Sequence, residues 1–238
     1  MTEEARKAFP NGMKQPEDGY RFSVDPLLLS DFFRPVKKGR GVDLGTGCGI
    51  IPCALQLEYP KSAMRIHGLD IRPVAIECSK ENSARLGLDD SLTFSLADLK
   101  ERSQLPSHQS CDFVTANPPY RTGKEGRSCP QKDRQTARFE EEGSLKDFIQ
   151  AAAYLLKTRA RFTMVHLPER MGDIIEELRS VNLEPKRIQF VHSRIDDPAK
   201  IMLVEAVKAG AAGLIIEPPL VLYSGKGNDT TSMNRWCR

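Results

Sequence analysis

The stretch of sequence that decides the fold is Gly41-Val42-Asp43-Leu44-Gly45-Thr46-Gly47-Cys48-Gly49. Its apolar first half predicts a short buried strand, and its alternating glycines predict a tight turn whose backbone approaches a ligand closely. The apolar run from Ile50 to Leu57 predicts a helix whose first amides face the same ligand. The stretch therefore indicates a strand, a turn and a helix that together form a pocket of the nucleotide-binding type.

The spacing of the glycines favours one kind of nucleotide-type pocket over another. A dinucleotide-binding turn needs a further glycine where this chain has Ile50, so a nicotinamide dinucleotide is the weaker interpretation. The acid of this stretch also lies inside the strand, before the turn begins. The predicted ligand contacts from this stretch are Asp43, Gly45, Thr46, Gly47 and Gly49.

Two further predicted strands end in a carboxylate. Ile66–Ile71 contains Asp70, which lies about 20 to 25 residues after the turn, where an acid can accept hydrogen bonds from both ribose hydroxyls. Leu92–Asp98 ends in an acid that can accept the amino group of an adenine ring. The residues that directly follow the two acids, Ile71 and Leu99, complete this set of predicted ligand contacts.

A fourth predicted strand, Cys111–Ala116, runs directly into Asn117-Pro118-Pro119-Tyr120. An amino group conjugated to a ring or a carbonyl is a poor nucleophile, because its lone pair is delocalised. The Asn117 side-chain oxygen and the Pro118 carbonyl can accept both of its N–H bonds, while Tyr120 stacks on the ring. The two prolines, Pro118 and Pro119, fix these acceptors in an extended turn. A plain strand-terminating turn is the alternative for this quartet taken alone.

The predicted strands place these groups at one edge of a sheet. In an open parallel sheet the ligand lies outside the carboxyl ends of the strands, so the glycine turn, Asp70, Asp98 and Asn117 are predicted to converge there. Later in the chain, Ser144 and Asp147 predict a capping box at the start of a helix. Three strands follow, at Arg161–Leu167, Arg187–Val191 and Ile201–Val207.

The glycine stretch, the two acids and the Asn-Pro-Pro-Tyr quartet resemble the class I S-adenosylmethionine (SAM)-dependent methyltransferases that act on amino groups. Together with Gly19–Leu29 they are most similar to the bacterial enzymes that methylate N6 of an adenine beside the anticodon of valine tRNA. The resemblance covers most of the chain. It implies an α/β fold with one Rossmann-like, doubly wound domain over residues 1–238, whose mostly parallel seven-stranded sheet has an antiparallel edge. It also implies SAM as the cofactor and RNA, specifically tRNA, as the partner.

The resemblance further implies that residues 1–41 form an extension over the cofactor. Phe22, Ser23 and Asp25 are then candidate contacts near its methionine end. For Asp25 the local sequence favours helix capping equally, since an acid before Pro26 and a run of leucines is a good helix start. Residues 224–238 form a polar, glycine-containing tail.

Length and composition agree with one domain. The chain has 238 residues, of which 39% are hydrophobic and 28% are charged, which suffices for one sizeable core. No apolar stretch approaches the length of a membrane span and the start has no secretory signal, so we expect a cytoplasmic protein. The six cysteines and four histidines lack metal-ligand spacing, so we expect free thiols and no metal. His166 is expected to be a packed side chain rather than a catalyst.

A basic segment follows the quartet. Residues 121–138 carry six basic and two acidic side chains, a local excess of four positive charges that suits a phosphate backbone. A solvated, partly disordered loop is the alternative. If the target is an adenine in an anticodon loop, Tyr120 receives the extruded base. The other predicted substrate contacts are Arg121, Lys124, Arg127, Lys132 and Arg134.

Other functions remain open at this stage. A protein glutamine amide presents the same planar nitrogen, but the family that methylates it carries a helical domain before the first strand, and only 41 residues precede Val42. Methylation of guanine N2 in ribosomal RNA is a similar rival, and DNA adenine methylation lacks a visible target-recognition insertion. A non-catalytic RNA-binding module is the alternative outside enzymes, against which the intact Asn117 and glycine turn argue.

Overall fold

One sheet of nine strands organises the part of the chain that this computed structural model describes, namely residues 9–16, 23–120 and 143–223. The strands are β1 (Arg40–Leu44), β2 (Arg65–Asp70), β3 (Leu92–Leu96), β4 (Cys111–Ala116), β5 (Leu156–His166), β6 (Leu183–His192), β7 (Ala199–Lys208), β8 (Ile215–Ile216) and β9 (Leu220–Val221). Their order is β3-β2-β1-β4-β5-β7-β6-β8, and β9 also pairs with β6. The first five strands run parallel, and β7 is antiparallel to both β5 and β6.

Helices cover both faces of the sheet. They are α1 (Asp25–Phe32), α2 (Ile50–Glu58), α3 (Pro73–Leu86), α4 (Leu145–Leu155) and α5 (Met171–Ser180). The apolar side chains of α1, α2 and α3 belong to one buried cluster and those of α4 and α5 to a second. Alternate residues of each strand point to opposite faces, so Phe113 enters the first cluster and Val114 the second.

The predicted α/β fold, with its mostly parallel sheet and antiparallel edge, is confirmed. The sheet differs from the prediction in having two additional strands of two residues each, β8 and β9, beyond β6. Strand β5 also begins at Leu156 rather than Arg161. After the buried Leu156, the residues Lys157, Thr158 and Arg159 are exposed and polar, and for that reason their sequence is typical of a loop.

The predicted capping box at the start of α4 is confirmed. The Asp147 backbone amide donates to Ser144 Oγ at 3.4 Å, and the Ser144 amide donates to Asp147 Oδ2 at 2.8 Å. Both amides lie at the first turn, where the regular i→i−4 acceptors are missing; the Asp147 amide also donates to the Ser144 carbonyl at 2.9 Å. The two side chains therefore fix where α4 begins.

A buried arginine ties α1 to the antiparallel edge. The Arg187 guanidinium lies 3.9 Å from the centroid of the Phe32 ring, and its Nη2 donates to the Phe32 carbonyl. Its charge is balanced by Glu205, with a nitrogen-to-oxygen distance of 3.8 Å, and by Glu217 at 3.5 Å. A buried charge is costly unless it is paired, so this cluster holds the C-terminal end of α1 against β6 and β7.

The described cysteines are all buried. Cys48, Cys53, Cys78 and Cys111 are buried free thiols, while Cys129 and Cys237 lie outside the described residues. Within residues 9–16, 23–120 and 143–223, no three His, Cys, Asp or Glu side chains are grouped to hold a metal ion. No helix in those ranges is long and apolar enough to cross a membrane.

Gly41 provides the space that Phe113 occupies. A Cβ at Gly41 would lie 2.1 Å from Phe113 Cε2, and the Phe113 ring makes an edge contact with Phe33 at 5.1 Å between centroids. We expect Gly41→Ala to lower the free energy of unfolding by about 1–3 kcal/mol, because the fully buried ring must move. Urea unfolding measures this loss. Gly172→Ala is the control, since nothing lies within 4 Å of its added Cβ; an equal loss in both variants would contradict the packing argument.

The burial of His166 predicts a pH dependence of stability. Its Nδ1 accepts the Leu167 amide at 2.8 Å, and burial, with a smaller contribution from Arg170, lowers its pKa from 6.5 to about 4. Between pH 6.5 and pH 4 the unfolded chain therefore binds a proton at this histidine more readily than the folded protein does. The stability that neutral His166 contributes is complete above pH 6.5 and is lost as the pH falls toward 4. When the pH is lowered from about 7.5 to about 5, the free energy of unfolding of wild type should fall by about 2 kcal/mol more than that of His166→Phe.

Urea unfolding of both proteins at the two pH values measures this difference. His166→Phe also changes the packing, which can alter stability at both pH values. The test is therefore whether the difference in free energy of unfolding between wild type and His166→Phe changes with pH. Parallel pH profiles would mean that His166 is not buried in its neutral form.

Candidate active site

The register of three parallel strands brings the predicted site residues together. Leu44 at the end of β1 pairs with Leu69 of β2 and with Ala116 of β4. Each partner is followed by a residue singled out from the sequence, so Gly45, Asp70 and Asn117 lie at the same level of the sheet. The edge that they share is the carboxyl edge, where ligands bind in sheets of this kind.

The glycine turn has the backbone that its sequence predicts. Gly45, Gly47 and Gly49 have φ angles of 64°, 56° and 80°, in the left-handed region, and Gly49 is the residue from which α2 starts. Nothing lies within 4 Å of a Cβ built at Gly47, so any side chain there would be strained by φ and would extend into open space. The turn therefore exposes its backbone toward the carboxyl edge.

Asp70 holds the glycine turn in place. Its Oδ2 accepts the Gly47 amide at 2.8 Å, and its Oδ1 accepts the Arg72 amide at 2.9 Å and Arg72 Nε at 3.3 Å. The carboxylate is 5% exposed. Two carboxylate oxygens offer about four acceptor positions, so Asp70 retains capacity for a further donor.

Asp43 lies beneath the same turn and is fully buried. Thr115 donates its hydroxyl to Asp43 Oδ1 at 2.7 Å, whereas Asp43 Oδ2 and Thr46 Oγ1 have no hydrogen-bond partner among the described residues. Burial raises the pKa of Asp43 to about 7, and the neighbouring hydroxyls of Thr115 and Thr46 oppose this shift. Both side chains therefore lie buried directly beneath the glycine turn, where they support its backbone.

Asp98 follows β3 at the same edge. The strand ends at Leu96, two residues before the predicted end, and Asp98 Oδ1 accepts the Lys100 amide at 2.9 Å in a tight turn. The Ala97 amide donates to the Asp70 carbonyl at 2.9 Å, which keeps this segment beside β2. Asp98, Leu99 and Ile71 are all half-buried at this corner of the site.

Tyr120 connects the quartet to α1. Its hydroxyl donates to Asp25 Oδ2 at 2.7 Å and lies 2.9 Å from Asn117 Oδ1. The expectation that Asp25 caps α1 is wrong: Val24 occupies the capping position, and no side chain caps the helix. Asp25 is instead 7% exposed, because its carboxylate is directed at Tyr120 across the site.

The sequence did not single out His166 as part of this site. Its ring makes an edge contact with Tyr120 at 5.2 Å between centroids and an interplanar angle of 64°. The pairing of Ala116 with Met164 places His166 level with Pro118. The available signal was therefore its position at the end of the strand next to β4, and the expectation of a packed side chain agrees with its 1% exposure.

Several predicted contacts lie outside the described residues. They are Phe22 in the N-terminal extension and Arg121, Lys124, Arg127, Lys132 and Arg134 in the basic segment. They stay predictions. The described part of the site nevertheless combines an exposed backbone turn, buried acids and an amide beside an aromatic ring, which are the groups that bind a nucleoside and a planar amino group.

Comparison with known proteins identifies the family. The family model described as methyltransferase small domain matches residues 24–170. A relative from Porphyromonas gingivalis, named tRNA1(Val) (adenine(37)-N6)-methyltransferase, is 28% identical over 193 residues, which cover 77% of this chain and 74% of the relative. A relative of the same name from Christiangramia forsetii is 30% identical over 68% of this chain and 67% of its own.

Solved structures show the same fold. A predicted O-methyltransferase from Agrobacterium tumefaciens superposes with a TM-score of 0.72 at 19% identity, over 89% of this chain and 94% of the other. A precorrin-6y C5,15-methyltransferase from Geobacter metallireducens gives a TM-score of 0.58 at 14% identity, over 83% and 94% of the two chains. The family model covers more than half of the chain, including the glycine turn, Asp70 and the quartet; the protein therefore belongs to the methyltransferase small domain family and is a SAM-dependent methyltransferase.

Proposed function

We propose that this protein transfers the methyl group of SAM to N6 of an adenine in tRNA. The observation that carries the proposal is the position of Asn117-Pro118-Pro119-Tyr120 one strand away from the glycine turn, so that a planar amino group and a nucleoside cofactor can meet. The names of the relatives from Porphyromonas gingivalis and Christiangramia forsetii support tRNA and adenine N6 as the substrate.

The residues at the carboxyl edge fit SAM. The open backbone at Gly47 suits its polar groups, and Asp43 and Thr46 lie buried beneath the turn that would hold them. Asp70 would hold the ribose, and Asp98 the adenine amino group. The remaining proposed contacts are Phe22, Gly45, Gly49, Ile71 and Leu99, with residues 1–41 covering the cofactor within a single domain. Asn117 would border the cofactor without contributing much to its affinity. Asp25, the other candidate from the sequence, contacts Tyr120 instead. When bound, SAM supplies a methyl group attached to a positively charged sulfur.

The quartet would prepare the accepting nitrogen. Asn117 Oδ1 and the Pro118 carbonyl accept its two N–H bonds and favour its pyramidal geometry, and Tyr120 stacks on the base. Pro119 keeps the turn rigid. No strong base is required, since the nitrogen becomes acidic only after it has been methylated. Positioning supplies most of the acceleration, which is consistent with a neutral His166 beside Tyr120.

The basic segment after the quartet would bind the RNA substrate. The basic side chains of residues 121–138 would bind the phosphate backbone around the target base. Removing an adenine from a loop costs less than removing one from a duplex, and Tyr120 offers the surface that receives it. We place the protein in the cytoplasm, with its RNA.

The test is a labelling experiment. Purified protein is incubated with methyl-labelled SAM and, separately, with unmodified tRNA, ribosomal RNA or a release factor, and the labelled residue is identified after digestion. N6-methyladenosine in tRNA is expected. N2-methylguanosine in ribosomal RNA, or methylglutamine in the protein, would overturn the substrate and leave the site chemistry standing. No transfer despite SAM binding would favour an RNA-binding module.

Asn117→Ala separates chemistry from cofactor binding. We expect kcat to fall about 100-fold or more, because the acceptor for the amino group is lost, while the Kd for SAM changes by less than about threefold. Single-turnover kinetics and calorimetry measure the two quantities. Equal losses in both would contradict the role assigned to Asn117.

Asp70→Ala tests the ribose contact. SAM affinity should fall about 10- to 100-fold, because hydrogen bonds to a charged group are lost and the Gly47 amide loses its acceptor. The exposed Asp90 provides the matched control, since Asp90→Ala removes the same charge away from the site. Calorimetric titration with SAM compares the two variants, and unchanged affinity in Asp70→Ala would refute the assignment.

A further inference from the structure

The Tyr120 hydroxyl lies between two oxygen atoms but carries one proton. It is 2.7 Å from Asp25 Oδ2 and 2.9 Å from Asn117 Oδ1. An ionised carboxylate can only accept, whereas a side-chain amide can either accept or donate. The shorter contact and the charge of the acceptor both assign the proton to Asp25. The neighbour on the other side of the Tyr120 oxygen must then be a donor.

A half-turn of the Asn117 amide supplies that donor. It exchanges Oδ1 and Nδ2 without displacing any other atom, and it converts an unfavourable contact between two oxygens into a hydrogen bond from Nδ2 to Tyr120. Asn117 then donates to the Tyr120 oxygen and Tyr120 donates to Asp25, so that no contact between two acceptors remains. The Asn117 oxygen points away from Tyr120 as a result and is available to accept another donor.

We propose that Asp25 is a positioning residue that, through the Tyr120 hydroxyl, orients the Asn117 amide so that its oxygen faces the accepting amino group. The proposal rests on the proposed function, because it names the device that makes Asn117 an acceptor. The two orientations of the Asn117 amide have similar shapes, so without the Asp25 contact both can form. One of them directs the N–H bonds of Asn117 at an amino group that also carries N–H bonds, and it cannot accept them.

The surroundings of Asp25 support this role. The carboxylate is 7% exposed, and the ion pairs formed within the described ranges do not include it. A buried carboxylate that forms no ion pair with a described residue depends on its hydrogen bonds, so the donor at 2.7 Å matters for its burial. The elements that carry Asp25 and Tyr120 are also held in place. Arg187 anchors α1 at Phe32, and the His166 ring makes an edge contact with the Tyr120 ring.

A double-mutant cycle tests the proposal with Asp25→Asn, Tyr120→Phe and the combined variant. An amide at position 25 can either accept from Tyr120 or donate to it, so the direction of the hydrogen bonds is no longer fixed. When it donates, the Asn117 amide turns back and its oxygen is occupied by the hydroxyl proton of Tyr120. We expect Asp25→Asn to lower kcat for unmodified tRNA about tenfold or more, with the Kd for SAM within about threefold. Tyr120→Phe keeps the ring and breaks the connection, so adding Asp25→Asn to it should change kcat by less than about twofold.

Other roles of Asp25 give different results. If Asp25 contacts SAM, Asp25→Asn weakens SAM binding to the same extent with or without the Tyr120 hydroxyl. If it only supports the fold, the loss of kcat follows the loss of melting temperature and is the same in both backgrounds. Either result, or unchanged kcat in Asp25→Asn, overturns the proposal. Asp90→Asn controls for the removal of one negative charge at an exposed position.

A second readout separates the failure of this proposal from the failure of the proposed function. The chain has six asparagines, so protein labelled with ¹⁵N in asparagine gives six pairs of side-chain amide signals, and Asn117→Gln identifies the pair of interest. That pair should shift in both Asp25→Asn and Tyr120→Phe, and stay in place in Asp90→Asn, without any RNA present. An unmoved pair overturns the orienting role, whereas absence of methylated tRNA with a shifted pair overturns only the substrate.

Discussion

The parallel register of β1 with β2 and β4 is the constraint on which the site depends. Because Leu44 pairs with both Leu69 and Ala116, the glycine turn leaves the sheet between an acid and an amide at the same height. A slip of one residue would turn the side chains of a strand to the opposite face. Burial of the two clusters on either side of the sheet therefore fixes the chemistry at its edge as well as the stability of the fold.

The sequence predicted those features that depend on neighbouring residues. Apolar strands, glycines with positive φ and the capping box of α4 all have local causes, so the strand ends and the turn could be placed from their patterns alone. The carboxyl-edge rule then predicted that Asp70 and Asn117 lie near the turn. The extra strands β8 and β9 were missed, since two-residue strands leave no periodic pattern.

What the sequence could not predict are partners chosen by tertiary packing. Asp25 before Pro26 has the pattern of a helix cap, and only the folded chain brings it to Tyr120, 95 positions later. Arg187 lies in a strand where a charged residue is ordinarily expected at the surface, but its pairing with Glu205 on β7 makes burial tolerable. His166 gives no local signal of its contact with Tyr120. Each of these side chains either contacts the site or holds a helix beside it, and each has partners that are distant in the sequence.

The cluster around Arg187 gives the molecule an order of assembly. Phe32 and Arg187 are 155 positions apart, so the ribosome makes α1 well before the arginine that holds it. A nascent chain that already contains the glycine turn and the quartet lacks this tether until β6 has been synthesised and paired with β7. Until that late step, α1 is held by its apolar packing against α2 in the first buried cluster alone.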